Sequence, residues 1–127
     1  MKELEKKIKK FLEVRKWDDL RPSDIAKSIV IEGAELLELF QWENLSLSEI
    51  KADKEKLEEI KKELADVLIY TIQMSVLLGL DTKKIIQDKL LHADKKYPAS
   101  LVKNRFKDSK TNSAYWRIKK EYRKKGL

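Results

Sequence analysis

Four carboxylates fall in two pairs of equal spacing: Glu32 and Glu35 in SIVIEGAELLELFQW, and Glu63 and Asp66 in EIKKELADVLIYTIQM. A step of three residues keeps both members of a pair on one side of a helix, about 60° apart. Ile25, Leu36 and Leu39 fall within about 40° of Glu32, and Ile29 within about 60°, so this acid stands in the middle of an apolar stripe. Ile60, Val67, Tyr70, Met74 and Leu77 surround Glu63 in the same way. Burying an unpaired carboxylate costs several kcal/mol. Four close together also repel, so they must hold protons or share a cation. The inward stripes offer few basic partners, and Lys56 is the nearest. A hard divalent cation suits the set: Mg2+ takes carboxylate oxygens and keeps waters that substrate phosphates can replace. The spacing leaves a second reading open, in which Glu32 and Glu63 are solvated at a bundle mouth or paired to a lysine of another helix. Repetition of the arrangement on two helices favours the metal.

The elements that would position these acids are helical. Glycine and proline are rare, 3 and 2 in 127 residues, and apolar residues recur at the 3.6-residue period. The first helix is expected from Lys2 to Lys16. The second opens at Ser23 as N-cap after Pro22 and runs to Glu43. NLSLSEIKAD is a polar break. The third helix runs from Lys54 to Leu78, with Gly79 as the C′ residue. Asp81 caps a fourth, which ends before Tyr97-Pro98 because a residue preceding proline avoids the α region. Residues 99–113 read as irregular, and a last helix spans Ser113 to Lys124. The expected fold is all-α: a four-helix-bundle core with an extra C-terminal helix, divided into a core at 1–98 and a basic extension at 99–127. Opposite the acids lie second apolar stripes, Val30, Ala34 and Leu37 on one helix and Ala65, Leu68, Ile72 and Val76 on the other. A helix covered on two faces in so small a chain points to a homo-oligomer.

Composition removes several classes of chemistry. There is no Cys, hence no disulfide, thiolate metal site or cysteine nucleophile, and the single His92 cannot build a multi-histidine site. No apolar run is long enough for a membrane span. The start, MKELEKKIKKF, lacks the apolar core of a secretory signal, so a cytoplasmic location is expected. The formal net charge is +7, and six basic residues lie in YWRIKKEYRKK, 115–125. Such a run reads first as a solvated or docking helix.

The two acid motifs with their flanks, FQW after the first and ADVLIY around the second, resemble the MazG-like nucleoside triphosphate pyrophosphohydrolases of the all-α NTP pyrophosphatase superfamily. The likeness covers about Phe11 to Pro98 and is greatest to the short branch that includes the dCTP pyrophosphatases. It implies hydrolysis of an NTP or dNTP to the monophosphate and pyrophosphate, as nucleotide-pool house-cleaning. Glu32, Glu35, Glu63 and Asp66 would hold Mg2+ against the phosphates, and a metal-activated water would attack the α-phosphorus. Glu38 would orient that water. Trp17 and Trp42 match positions where relatives hold the base, Phe11 is a further candidate beside them, and stacking on an aromatic ring contributes about 1–3 kcal/mol per base. KLLHADKKYP, 89–98, resembles the phosphate-contacting element of the family through Lys89, Lys96 and Tyr97. It departs at Ala93, where the family usually has Asn, and Ile8 replaces a polar base-reading residue of the dCTP-specific relatives. Cytosine preference is therefore not carried over. The resemblance also implies a homodimer or homotetramer.

Two rival readings stand beside the enzyme. Ala93 would suit a nucleotide-binding sensor or scaffold that has lost its chemistry. Tyr115, Trp116 and Tyr122, interleaved with Lys and Arg, would suit a nucleic-acid-binding helix. No recognised nucleic-acid motif frames that segment, and the four acids would go unexplained, so nucleic acid ranks last among the partners.

Overall fold

The computed structural model describes residues 1–102 and 109–127, with side chains described for 1–102 and 115–127. All regular structure among the described residues is α-helical, as the periodicity predicts. The chain forms two compact units, Met1–Thr82 and Lys83–Leu127. The first holds α1 (Lys2–Glu13), α2 (Pro22–Glu38), α3 (Leu47–Ala52) and α4 (Lys54–Leu77). The second holds α5 (Thr82–Lys96), whose first residue closes the first unit, α6 (Ala99–Val102) and α7 (Ser109–Lys124). Among the described residues no single helix is long and apolar enough to cross a membrane.

Helix ends differ from expectation where a backbone or tertiary hydrogen bond decides them. Helix α1 stops at Glu13 in a Schellman turn. The Trp17 N–H donates to the Leu12 carbonyl at 2.9 Å, the Lys16 N–H donates to that of Glu13 at 3.0 Å, and Lys16 takes φ +58°. This left-handed position is usually glycine. The N-cap of α2 is Arg21 rather than Ser23, because Pro22 fits the first helical position, where its fixed φ helps and its missing N–H costs nothing. Helix α2 ends at Glu38, not Glu43, since the Lys56 ammonium of α4 donates to the Leu39 carbonyl and caps the last turn. The expected polar break contains α3, started by Ser46 as N-cap. The Ser46 hydroxyl accepts from the Glu49 N–H at 3.3 Å and donates to the Glu49 carboxylate at 2.9 Å. Asp53 then caps α4, accepting the Lys56 N–H at 3.0 Å, and Gly79 at φ +70° closes it with a second Schellman turn. Residues 99–102 form α6, and α7 begins at Ser109, earlier than Ser113; the rest of the segment expected to be irregular, 103–108, lies outside the described residues.

Helix α4 is the spine of the first unit, with α2 along one side and α1 along another. Its core is Ile8 and Leu12 of α1 against Ile72 of α4, with Val76 and Leu77 beside them. Leu12 is the most completely buried of the described residues. At the end of this seam the buried Thr82 hydroxyl donates to that of Ser75 at 2.7 Å, and Glu5 accepts the Thr82 N–H at 3.0 Å. The second apolar stripes divide. Ile72 is buried in this core, whereas Val30 is 71% exposed, Leu37 67% and Leu68 51%. In the second unit, Tyr97 stacks on Tyr115 at 4.8 Å, His92 meets Tyr122 edge-on at 5.9 Å, and Ile118 is buried.

Candidate active site

Packing of α2 on α4 turns the two acid pairs toward each other. Carboxylate oxygens of Glu32, Glu63 and Asp66 all lie within 4.8 Å of one another. Glu32 and Glu63 are half-buried and Asp66 is exposed at the rim. Oε2 of Glu32 and Oε2 of Glu63 are buried with no hydrogen-bond partner. Buried acceptors without a donor are rare, because each forfeits its hydration without replacement.

Electrostatics follow from this crowding. Glu32 titrates above its ordinary 4.5, first because burial disfavours the charged form, then through hydrogen bonding to Glu35 and the charges of Glu35, Asp66 and Glu63. Glu63 is raised in the same way, by burial first and then by Glu35, Asp66 and Glu38. Glu35 is exposed and lies outside the group of three gathered oxygens, yet it acts on both half-buried acids through its charge. Glu38, exposed in the last turn of α2, bears on Glu63 through its charge. Among the described residues no Lys or Arg forms an ion pair with any of the four metal candidates. Lys56, the nearest basic residue by sequence, is committed to the Leu39 carbonyl and lies 5.8 Å from the centre of the Phe40 ring. Oxygen-only donors, two of them buried and unpartnered, fit a hard divalent cation.

Asp66 also lines a cavity of about 460 Å³ whose walls include Phe11, Trp17, Ile69, Tyr70 and Gln73. Phe11 and Trp17 meet edge to face at 6.0 Å. The Schellman turn at Lys16 brings Trp17 back over α1, and Arg15 covers the Phe11 ring at 3.8 Å. Asp66, Tyr70 and Gln73 follow each other at i, i+4 and i+7, so one face of α4 runs from the acids along the cavity wall. Sequence reasoning missed Gln73 as a lining residue, although this spacing was its signal.

The other expected contacts lie elsewhere. Trp42 is 87% exposed in the segment after α2 and is not part of this cavity wall. Ile8 belongs to the core. Lys89, Lys96 and Tyr97 lie in the second unit. There the Lys96 ammonium stands 5.2 Å from the Tyr97 ring and 5.1 Å from that of Tyr122. Lys89 and Ala93 line a shallow apolar cavity of about 370 Å³ on α5.

The profile of the MazG-like family matches residues 27–110, which include both acid pairs. Among solved structures, the chain is similar to a pyrophosphatase from Archaeoglobus fulgidus DSM 4304, with 35% identity over 77% of this chain and 92% of that one and a TM-score of 0.66. No curated protein matches significantly. Matched over most of its length, and folded as an all-α protein with its acids paired across two helices, this chain belongs to the MazG-like family.

Proposed function

We propose that the protein hydrolyses a nucleoside or deoxynucleoside triphosphate to the monophosphate and pyrophosphate, with Mg2+ held by Glu32, Glu35, Glu63 and Asp66, in a house-cleaning role. The observation that carries this reading is the pair of buried, unpartnered carboxylate oxygens on Glu32 and Glu63, gathered with Asp66 beside an aromatic-walled cavity. Family membership and the similarity to a pyrophosphatase support the same reaction class. When bound, a divalent cation would stabilise charge on the phosphates and lower the pKa of a bound water. Glu32 and Glu63 grip through their buried oxygens. Asp66 joins the acid cluster to the cavity, so the phosphates meet the acids while the base enters the cavity that Phe11 and Trp17 wall. Glu38, in the last turn of α2, orients the attacking water. For Lys89, Lys96, Tyr97 and Trp42 the support is the sequence pattern alone. The exposed stripe of Val30, Leu37 and Leu68 supports assembly as a homo-oligomer.

The test is pyrophosphate release from a panel of canonical and modified NTPs and dNTPs, with Mg2+ and with EDTA. Mg2+-dependent release with the monophosphate as co-product is expected. Glu63→Gln changes charge without changing shape and should abolish turnover with the helical fold intact. Parent-rate hydrolysis by that variant would refute the four-acid site. Silence across the panel with nucleotide still bound would favour the sensor.

A further inference from the structure

Gln73 is 5% exposed and lines the cavity two turns beyond Asp66 on the same face of α4. Its carboxamide makes no hydrogen bond within the described residues, while neighbouring buried polar groups such as Ser75 and Thr82 satisfy each other. A primary amide offers two donors and an acceptor, and here the described residues take up none of them, so all are open to a ligand in the cavity. The open side of Gln73 is the cavity, bordered by Phe11, Trp17 and Tyr70. At 1.5 Å rise per residue, the step from Asp66 to Gln73 covers about 10 Å along the helix. This places the amide beyond the acids, on the side of the aromatic rings.

Resting on the nucleotide reading of this cavity, we infer that the Gln73 carboxamide reads the hydrogen-bonding edge of a nucleobase lodged in the cavity that Phe11 and Trp17 wall. A carboxamide can present its N–H and C=O in either order by turning over. It therefore matches amino-bearing edges, as in cytosine and adenine, and keto-bearing edges, as in thymine and uracil. Gln73 thus makes the pocket demand a base without choosing strongly among bases. Selectivity then falls on the presence of a paired donor and acceptor rather than on their order.

The test compares the parent with Gln73→Leu and Gln73→Met by calorimetric titration. The probes are dCMP, dTMP and dAMP, and separately inorganic tripolyphosphate with Mg2+. Loss of two neutral hydrogen bonds should weaken all three monophosphates by roughly tenfold to a hundredfold. Tripolyphosphate affinity should stay at the parent value. The melting temperature should hold or rise, since an unpartnered amide has been replaced by an apolar group. Two variants are used because Met follows the shape of Gln more closely if Leu packs badly. Parent-like monophosphate affinity in a folded variant overturns the assignment. So does an equal loss for tripolyphosphate, or a parent that binds no monophosphate. Pyrophosphate release is scored separately. A parent that binds monophosphates through Gln73 but releases no pyrophosphate would sink the hydrolysis reading and leave Gln73 as the base reader. Turnover with indifferent variants would do the reverse.

Discussion

Raising the pH should tighten cation binding at the acid cluster, with a slope that counts displaced protons. Glu32 and Glu63 both titrate above 4.5, driven first by burial and then by the neighbouring carboxylates. In the unfolded chain neither influence acts. Without a cation, the folded protein therefore holds protons that the unfolded chain has already released. This contribution to stability is full below 4.5 and is lost as pH rises through the raised values. A cation must expel the same protons, so its apparent affinity is linked to them. Each proton displaced makes the association constant rise about tenfold per pH unit, and two make it rise about a hundredfold. Above the raised values the curve should flatten. The assay is calorimetric titration with Mg2+ or Mn2+ from about pH 5 to about pH 8, in two buffers of different ionisation heat to count protons directly. Glu63→Gln should remove one proton from the count and lower the plateau. An affinity flat throughout the acid range, or unmoved by Glu63→Gln, would refute cation binding at this cluster.

Three further outcomes can be checked on the first unit. Leu12→Ala should cost about 2–5 kcal/mol in urea unfolding, since Leu12 is 1% exposed and its neighbours cannot close the gap. Lys16→Gly should raise stability by about 1 kcal/mol in a thermal melt by relieving a left-handed backbone at φ +58°. Val30→Lys combined with Leu68→Lys should reduce the mass found by light scattering on a sizing column, whereas an unchanged mass would remove this stripe from any subunit interface.

Much of the site was legible because it obeys one period. Glu32 and Glu63 stand in apolar stripes at 3.6-residue spacing, and packing two such stripes together forces the acids to meet. Helix α3 was missed, its segment being read as a polar break, although Ser46-x-x-Glu49 carried the signal of a helix start. The end of α1 was not legible, because a lysine in the left-handed conformation gives no compositional sign of a turn. That turn brings Trp17 onto the cavity where Gln73 is buried. The i, i+4, i+7 spacing on α4 put Gln73 on the face of Asp66 and Tyr70, but the aromatic wall opposite it comes from a distant segment that no pattern of α4 contains. The early end of α2 was hidden for the same reason, since its cap is a lysine from another helix.

The turn at Lys16 ties the cavity to the core through one atom. The carbonyl that receives the Trp17 N–H is that of Leu12, whose side chain is the best-buried among the described residues. The wall of the pocket is therefore a lever with its fulcrum in the hydrophobic seam between α1 and α4. If a base binds against Trp17 as proposed, it loads the last turn of α1 through this hydrogen bond. Amide exchange in α1 should then slow when nucleotide binds, although α1 contributes none of the acids. Mild loosening of the seam should likewise appear as weaker nucleotide binding before it appears as unfolding.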